Sequence, residues 1–460
     1  MPFRLLICFA WCIAAASIHS SVVQSASPQP NIVVIMADDL GYQDLGCYGG
    51  TRHRTPNIDL LAAGGMRFTD FYVTTSVCTP TRAAFLTGRN PQRCKSPGVL
   101  WPTSTDGSLP SEEITLAEVL KQQGYATHLS GKWHLGHGKP QHLPTGHGFD
   151  NWYGMPYPND MAPGHPQEEW RKESWPEMPM MLNGEIVEQP IDVNLLTQQY
   201  TADAVNFIAK HRNEPFFLYL AHAMPHAIIG ASPDFVDGSS NGLYGAAIEE
   251  LDWSTGEIMR VLRAFGLEQN TLVIFTNDNG GVTPEAYTGK DLHWFWPDGT
   301  HGSNAPLRGG KQSTFEGGVR VPGIFCWPGI IAAGKVEHTP AIITDIFPTV
   351  LDWLDIPLPE KRTYDGRTLR PVLEGTGERE AAEFFFGGTH SVTAARVGKW
   401  KWQSPRQPKW MTPPLESKDP LLFDLSTDIS EKHNVAADHP DVVARIQAKI
   451  KAFEREVGIE

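Results

Sequence analysis

The chain has 460 residues, of which 41% are hydrophobic and 20% are charged. A chain of this length and composition can bury a large core and is long enough for two or three domains. The formal net charge of −14 argues against a general surface for nucleic acid or anionic membranes. We therefore expect a globular protein in which any basic site is local.

Residues 1–26 have the anatomy of a secretory signal peptide. Arg4 precedes an apolar run from Leu5 to about Ala16, and small and polar residues follow. A membrane-spanning helix is the less favoured alternative, because the run is shorter than the ~20 residues that a bilayer core requires. We expect cleavage near Ser20 or Ala26, export to a periplasmic, extracellular or lumenal compartment, and no membrane attachment afterwards.

Three apolar runs predict strands that are buried on both faces of a parallel sheet. They span residues 31–37, 215–221 and 271–276 and are rich in β-branched and aromatic residues. Capping residues and glycines predict helices from Thr55 to Gly64 and from Ser111 to Gly124. Strands that alternate with helices indicate a doubly wound α/β domain, whose ligands gather outside the carboxyl ends of the strands.

We assign residues 27–375 to this α/β domain and residues 376–460 to a smaller α+β domain. The second region has short strand-like pieces and a helical pattern from about Pro440. Within the first, the Pro- and Trp-rich stretch 152–190 is interpreted as a long surface insertion.

Acidic and amide side chains follow two of the predicted strands. Asp38 and Asp39 come directly after the first strand, and Asp278 and Asn279 follow the third. Either pair alone could form a turn or cap a helix. Together at one sheet edge they need a cation to offset their repulsion, and hard oxygen donors suit Ca²⁺ or Mg²⁺. The sequence therefore predicts a metal site, which we assign to Ca²⁺ with Mg²⁺ as the alternative.

Basic and proton-transferring groups lie in short motifs elsewhere. Lys132 and His134 occur in GKWHLG, where extended backbone would point both side chains the same way. His226 follows the second strand, Lys311 lies in a glycine-rich loop, and Arg82 follows a cysteine. Each alone is compatible with a solvated lysine or a packed histidine. Around a metal, they suit binding and hydrolysis of a tetrahedral oxyanion ester.

The segment CTPTRAAFLTGR, residues 78–89, resembles the signature of the sulfatase family, C-x-P-x-R followed by a small apolar run and TGR. The similarity is closest to the branch of arylsulfatase A and N-acetylgalactosamine-6-sulfatase. It implies sulfate-ester hydrolysis on an alkaline-phosphatase-like, doubly wound, mainly parallel sheet with a smaller C-terminal α+β domain. Other segments that resemble the family occur along the chain in the family's order. They are residues 36–50, 55–68, 131–137, 147–154, 276–281, 307–329 and 421–436.

In that family the signature cysteine is oxidised to Cα-formylglycine by a formylglycine-generating enzyme. The resemblance implies that Cys78 becomes a hydrated aldehyde bound to calcium, in which one hydroxyl attacks sulfur and the other expels sulfate. Without this chemistry, two disulfides among Cys47, Cys78, Cys94 and Cys326 are the simpler interpretation for an exported chain. With Cys78 consumed, at least one of the other three thiols stays unpaired in a monomer.

The resemblance also assigns the metal ligands and the surrounding charges. A helix expected after Pro80 would present its N-terminus to the bound anion. The family pattern implies calcium ligands at Asp38, Asp39, Asp278, Asn279 and the Cys78 position. It further implies that Arg82 holds the aldehyde hydrate, that Lys132 and Lys311 neutralise sulfate oxygens, that His134 deprotonates the second hydroxyl, and that His226, with Lys311, protonates the leaving oxygen.

The histidine near the second strand departs from the family pattern. Relatives commonly have H-x-P there, whereas His226 is followed by Ala227 and Ile228. His222 is a competing candidate. We favour His226 because of its distance from the strand, which leaves His222 a structural role.

The aromatic loop 291–296 suggests the substrate class. Trp294 and Trp296 would offer flat apolar faces to a sugar, and His301 and Asp298 would hydrogen-bond to its hydroxyls, although local core packing is an equal alternative. We predict a sulfated carbohydrate, such as a 6-O-sulfated galactose or N-acetylgalactosamine, with aryl sulfates as further substrates. A phosphonate or phosphate monoester hydrolase and a non-catalytic binder of sulfated glycans are the alternative functions.

Overall fold

The computed structural model describes residues 29–96, 98–165, 168, 171–284, 298–381, 383–405 and 417–459. The predicted signal peptide and the loop 291–296, with Trp294 and Trp296, lie outside these residues. No helix in the described part of the chain is long and apolar enough to cross a membrane.

The strands of the described residues form a large mixed sheet and a small antiparallel sheet. Those of the large sheet are β1 Asn31–Ala37, β2 Met66–Tyr72, β3 Ala126–Gly131, β4 Asn151–Gly154, β5 Met180–Leu182, β6 Glu185–Glu188, β7 Phe216–Ala221, β8 Thr271–Asn277, β9 Arg320–Cys326, β10 Lys335–Glu337 and β11 Ala341–Ile342. Those of the small sheet are β12 Glu383–Gly388, β13 Ser391–Val397, β14 Trp400–Gln403 and β15 Leu421–Asp424.

The three strands predicted from apolar runs are neighbours at the centre of the large sheet. The order is β10-β2-β9-β8-β1-β7-β3-β4-β5-β6, with β11 also paired to β2. From β8 to β4 the strands are parallel, and β9 runs antiparallel to both β8 and β2. Every residue of β1 is buried, as a strand covered on both faces requires. The polar residues after β1 and β8 therefore lie at the same edge.

The α-helices of the described residues cover both faces of the large sheet or pack on the small one. The predicted helix from Thr55 to Gly64 is observed as α1. The helix predicted from Ser111 was placed too early and begins at Leu116. The helices are α1 Pro56–Ala63, α2 Cys78–Thr87, α3 Leu116–Gln122, α4 Leu196–Lys210, α5 Pro233–Val236, α6 Gly242–Ala264, α7 Glu316–Val319, α8 Ile346–Trp353, α9 Arg370–Leu373 and α10 Pro440–Val457.

The late start of α3 has a capping cause. Thr115 Oγ1 accepts a hydrogen bond from the Glu118 backbone N–H at 3.1 Å, and the Glu118 carboxylate accepts one from the Thr115 N–H at 2.7 Å. This reciprocal capping box satisfies two backbone donors that a helix start leaves unpaired.

The stretch 152–190 was interpreted as a surface insertion; much of it is exposed, but it also adds strands to the edge of the large sheet. β4 pairs with β3, and β5 and β6 continue the sheet as antiparallel strands. Trp152 and Trp175 are buried, and Trp152 Nε1 donates a hydrogen bond to the Gly131 carbonyl at 3.1 Å. Trp152 and Trp175 are thus part of the core.

The small sheet and α10 form the predicted C-terminal α+β unit. One face of the sheet packs on α10 through residues such as Phe385, Trp402 and Ile446. Phe384 and Phe386, on the opposite face of β12, join the core of the large sheet. The fold prediction is confirmed, whereas the domain boundary at 375 stays a prediction.

A buried ionic cluster connects the two sheets. Glu316 accepts hydrogen bonds from Lys401 Nζ at 2.7 Å and from the Tyr72 hydroxyl at 2.5 Å. Glu431 Oε2 accepts from the Glu316 backbone N–H at 2.6 Å, and its Oε1 has no hydrogen-bond partner among the described residues. Burial, opposed by Lys401 and reinforced by Glu316, raises the pKa of Glu431 to about 8.

Replacing this carboxyl should alter how stability depends on pH. A raised folded-state pKa means that the stabilisation is complete below the ordinary value of 4.5 and is lost as pH rises through about 8. The amide of Glu431→Gln cannot ionise, so the free energy of unfolding should decline less between about pH 5 and about pH 9 than in the wild type. Urea denaturation across this range measures the effect. Exposed Glu185→Gln is the control, and parallel curves for Glu431→Gln and wild type would contradict the prediction.

Candidate active site

The ends of β1 and β8 bring the four predicted metal ligands together. The strand register pairs Ala37 with Asn277, so Asp38 and Asp39 face Asp278 and Asn279 across the sheet edge. Each of the four is at most 3% exposed. Asp39 adopts the left-handed conformation with φ of 66°, and its Oδ1 accepts a hydrogen bond from Asn279 Nδ2 at 2.7 Å.

Two buried oxygen atoms of this cluster lack a hydrogen-bond donor in the described part of the chain, Asp38 Oδ1 and Asn279 Oδ1. Such atoms are costly unless a cation or another donor binds them. Asp38, Asp39 and His226 also offer ligand atoms within 4.8 Å of one another. This donor set, dominated by carboxylate and amide oxygens, fits a hard divalent cation.

Arg82 and Lys132 compensate the buried carboxylates. Arg82 Nη2 lies 3.2 Å from Asp38 Oδ2 and 2.8 Å from Asp278 Oδ2, and Arg82 Nε donates to Asp278 Oδ2 at 3.0 Å. Lys132 Nζ donates to Asp38 Oδ2. Both basic side chains are fully buried. Buried charges persist only when paired in this way, so each cation here fixes the position of a carboxylate.

The same contacts set the protonation of the acids. Burial opposes ionisation of Asp38, but Lys132, His226 and Arg82 hold its pKa well below the usual range. Burial and the neighbouring Asp38 raise the pKa of Asp278 to about 6. The basic neighbours therefore favour the ionised form of Asp38, whereas burial and Asp38 disfavour that of Asp278.

Cys78 lies at the first position of α2, so this helix starts two residues before the predicted position at Pro80. Proline is tolerated in the first turn because its missing N–H is not needed there. Arg82 lies one turn after Cys78, on the same side of the helix. The whole helix is buried, and its N-terminus, with the partial positive charge of the unpaired backbone N–H groups, lies at Cys78.

Cys78 Sγ lies 3.1 Å from His134 Nδ1, and His134 Nε2 lies 2.9 Å from the Leu100 carbonyl oxygen. A carbonyl can only accept, so Nε2 carries the proton and Nδ1 is free to accept one from position 78. Burial and Lys132 lower the pKa of His134 well below its ordinary value, while burial raises the pKa of the Cys78 thiol. The pair is therefore a neutral thiol and a neutral imidazole.

Gly131 places Lys132 and His134 at the end of β3. Its φ is 118°, and a Cβ atom there would lie 1.9 Å from the Ala221 carbonyl oxygen. This close approach, which glycine alone permits, lets the Lys132 N–H donate to that carbonyl at 2.8 Å. Lys132 and His134 then both reach the buried cluster, although His134, with φ of 60°, does not have the extended conformation on which the prediction rested.

His226 and Lys311 lie on the Asp39 side of the cluster. Lys311 Nζ donates to Asp39 Oδ2 at 2.7 Å, and His226 Nε2 lies 3.6 Å from the same oxygen. His222, the competing candidate, is fully buried with Nε2 3.2 Å from Ser254 Oγ on α6. Burial lowers the pKa of His222 to about 3, as in a packed core histidine. Of His222 and His226, only His226 lies beside the acidic cluster.

The sequence interpretation missed Asp160. Its Oδ1 lies 4.0 Å from His226 Nδ1, and its Oδ2 lies 3.6 Å from His165 Nε2. Asp160 belongs to the PND turn of the stretch that was interpreted as a surface insertion. The only signal for it was an acid beside a proline turn, a pattern that is also common in ordinary loops.

His301 and Asp298, two of the predicted sugar contacts, have hydrogen-bond partners within the protein. His301 Nδ1 lies 3.5 Å from Arg52 Nη1 and 2.8 Å from the Gly302 carbonyl oxygen. Asp298, expected to bind a sugar hydroxyl, instead accepts a hydrogen bond from the Leu243 N–H at 2.8 Å and caps the start of α6. Trp294 and Trp296 lie outside the described residues.

The four cysteines after the predicted signal peptide are all free thiols. The interpretation as two disulfides is therefore wrong for this structure. These thiols are Cys47, Cys78, Cys94 and Cys326.

Comparison with known proteins places these observations in a family. The family model described as Sulfatase matches residues 30–356. Human arylsulfatase A is 40% identical over 452 residues, covering 91% of this chain and 86% of that protein. Human steryl-sulfatase is 37% identical over 453 residues (84% and 75%), and human N-acetylgalactosamine-6-sulfatase is 35% identical over 474 residues (94% and 87%).

Solved structures of sulfatases have a similar fold. A chain solved in work on glycosaminoglycan metabolism by Bacteroides thetaiotaomicron is 29% identical with a TM-score of 0.80, covering 93% of this chain and 100% of that chain. Ps i-CgsB in complex with k-i-k-neocarrahexaose is 30% identical with a TM-score of 0.78, covering 92% of each chain. Phosphonate monoester hydrolase of Agrobacterium radiobacter, 21% identical with a TM-score of 0.62 over 93% and 96%, shares the fold alone. The chain belongs to the sulfatase family, whose activity is hydrolysis of sulfate esters.

Proposed function

We propose that this sulfatase uses a formylglycine formed from Cys78 and a bound Ca²⁺, and that its substrate is a sulfated carbohydrate. The observation that carries the proposal is the position of Cys78 in the signature C-T-P-T-R. Its side chain lies 3.1 Å from a neutral His134 and one turn from Arg82, in a buried surrounding where Arg82 and Lys132 are paired with carboxylates. A thiol whose pKa is raised by burial is a poor nucleophile, which favours a modified residue at this position.

Formylglycine, when present, supplies one hydroxyl to attack sulfur and a second whose deprotonation releases sulfate. His134 Nδ1 is the acceptor for a proton from this position, because the Leu100 carbonyl fixes the tautomer through Nε2. Arg82 binds Asp38 and Asp278 and keeps the helix start against them. The N–H groups at the start of α2 add positive charge where the anionic ester would bind.

On the other side of the cluster, Lys311 and His226 suit the sulfate and the leaving oxygen. Lys132 and Lys311 each carry an ammonium that can neutralise sulfate oxygens once the ester is bound. His226 Nε2 lies near Asp39 and Lys311, where it can deliver a proton to the leaving oxygen. His134, the proposed proton acceptor, thus contacts Cys78, whereas His226, the proposed proton donor, lies beside Asp39.

Asp38, Asp39, Asp278 and Asn279 would hold the Ca²⁺ ion. The unpartnered Asp38 Oδ1 and Asn279 Oδ1 support this assignment, since both are buried acceptors without a donor in the described residues. Bound Ca²⁺ supplies positive charge to orient the nucleophile and the sulfate oxygens. Mg²⁺ accepts the same oxygen ligands and is the alternative ion.

The substrate proposal draws on both sequence and relatives. Two names among the relatives point to sugars, N-acetylgalactosamine-6-sulfatase and the complex with k-i-k-neocarrahexaose, whereas steryl-sulfatase points to a steroid. We choose a sulfated saccharide, with a 6-O-sulfated galactose or N-acetylgalactosamine unit first, because the loop 291–296 is rich in tryptophan. Maturation of the enzyme would need export by the signal peptide and modification by a formylglycine-generating enzyme.

Substitution of Cys78 tests the nucleophile. Cys78→Ala should lower kcat by at least about three orders of magnitude, because no covalent route to sulfate transfer remains. Cys78→Ser should turn over little faster, since a serine has no second hydroxyl to expel sulfate. Sulfate release from 4-nitrophenyl sulfate measures both, and Cys47→Ala, a half-buried thiol elsewhere, is the control. Wild-type turnover by Cys78→Ala would refute the formylglycine mechanism.

Metal removal tests the cation site. After chelation, adding Ca²⁺ at a hundredfold excess over its Kd should stabilise the protein by about 2.7 kcal/mol and raise its Tm. Asn279→Ala should weaken this response because one of the unpartnered oxygens is lost. Differential scanning calorimetry with Ca²⁺ and with Mg²⁺ also ranks the two ions, and exposed Asn194→Ala is the matched control. Equal responses of Asn279→Ala and wild type would exclude Asn279 as a ligand.

A substrate panel tests the saccharide assignment. We expect kcat/KM to be higher for a 6-O-sulfated galactose or N-acetylgalactosamine saccharide than for a steroid sulfate or 4-nitrophenyl sulfate. Trp294→Ala and Trp296→Ala should lower kcat/KM for the saccharide by about fivefold each and leave 4-nitrophenyl sulfate nearly unaffected, since stacked aromatic contacts contribute roughly 1 kcal/mol. Faster cleavage of the steroid sulfate would overturn the saccharide assignment, and phosphate release from matched phosphate esters would indicate the alternative hydrolase.

A further inference from the structure

Asp160 is a buried carboxylate beside the proposed proton donor. Its Oδ1 lies 4.0 Å from His226 Nδ1 and has no hydrogen-bond donor among the described residues, and its Oδ2 lies 3.6 Å from His165 Nε2. His226 Nε2, at the opposite end of the ring, lies 3.6 Å from Asp39 Oδ2. His226 Nδ1 also lies 2.5 Å from the Ala227 carbonyl oxygen, which can only accept, so Nδ1 carries a proton and donates it to that carbonyl. The imidazole therefore lies between a carboxylate of the cluster and a carboxylate outside it, with one edge bonded to the backbone.

The backbone around Asp160 is fastened to both catalytic histidine segments. Asn159 Nδ2 donates to the Ile228 carbonyl oxygen at 2.6 Å, two residues after His226. The His134 N–H donates to the Pro156 carbonyl oxygen at 3.1 Å, which ties the same segment to the end of β3. A side chain held on such a framework can fix the orientation of its neighbour.

We propose that Asp160 is the positioning residue of His226. Its carboxylate lies 4.0 Å from Nδ1 and attracts that edge of the ring electrostatically, in addition to the Ala227 carbonyl that accepts the Nδ1 hydrogen bond, so that Nε2 points toward Asp39, Lys311 and the leaving oxygen. A carboxylate on the Nδ1 side likewise orients a catalytic histidine in other hydrolases. The inference rests on the proposed role of His226 as the proton donor.

If Asp160 positions His226, the rate loss in an Asp160 variant should depend on the leaving group of the ester. A nitrophenolate departs without help from an acid, whereas a more basic phenolate or a sugar alkoxide needs a proton as the S–O bond breaks. A badly oriented His226 should therefore slow esters of basic leaving groups and spare esters of acidic ones. General damage to the site would slow all of them alike.

The experiment compares 4-nitrophenyl sulfate with 4-methoxyphenyl sulfate, which have similar size and different leaving groups. Asp160→Asn should lower kcat/KM about 10- to 100-fold on the methoxyphenyl ester and less than about threefold on the nitrophenyl ester. His226→Ala should show the same selectivity more strongly. The double variant should equal His226→Ala on both substrates, because Asp160 acts only through that ring.

Each outcome bears on a different claim. An equal loss on both esters for Asp160→Asn, or losses that multiply in the double variant, would overturn the positioning role and leave His226 as the donor. A uniform loss for His226→Ala would instead refute the donor role in the proposed function. If Asp160→Asn folds poorly by Tm, Asn159→Ala takes its place: it removes the tie to Ile228 and should show the same selectivity at smaller size, and a uniform loss would overturn the inference.

Discussion

The site depends on the compensation of two buried carboxylates by one guanidinium. Arg82 lies within 3.2 Å of both Asp38 and Asp278, and all three side chains are fully buried. Removing one partner of such a group typically costs 3–5 kcal/mol, about as much as the loss of a large core side chain. Because Arg82 lies one turn from Cys78, this ion pairing also fixes the N-terminus of α2 against the ends of β1 and β8. The position of Cys78 is thus a consequence of charge burial.

The two histidines that we propose as proton-transfer groups, His134 and His226, lie in different surroundings beside this ion-paired cluster. His134 is deep, neutral and bonded to a backbone carbonyl, so it is prepared to accept a proton from position 78. His226 lies beside the carboxylates of Asp39 and Asp160, 3.6 Å and 4.0 Å away. The two histidines proposed to transfer protons therefore have different surroundings, although the residue type is the same.

The sequence was sufficient where the signal was local. The runs 31–37 and 271–276 end in polar residues, and adjacent parallel strands necessarily bring those residues to one edge. It was insufficient where distant contacts decide. Ser111 and Thr115 are equally good caps by type, but only Thr115 also donates to the His147 carbonyl oxygen, at 2.8 Å. The prolines and tryptophans in 152–190 are typical of a loop, and only the pairing of β4 with β3 shows that part of this stretch belongs to the sheet. Asp160 was missed for the same reason, because its partner His226 is far away in sequence.

The mass of the peptide that contains residue 78 shows whether Cys78 becomes an aldehyde. The protein should be produced together with a formylglycine-generating enzyme and digested, and the peptide spanning residues 78–82 analysed by mass spectrometry alongside the specific activity of the same sample. We expect that CHO replaces CH₂SH at position 78 and that activity rises in proportion to the converted fraction. Full activity in a sample whose Cys78 is entirely unmodified would contradict it.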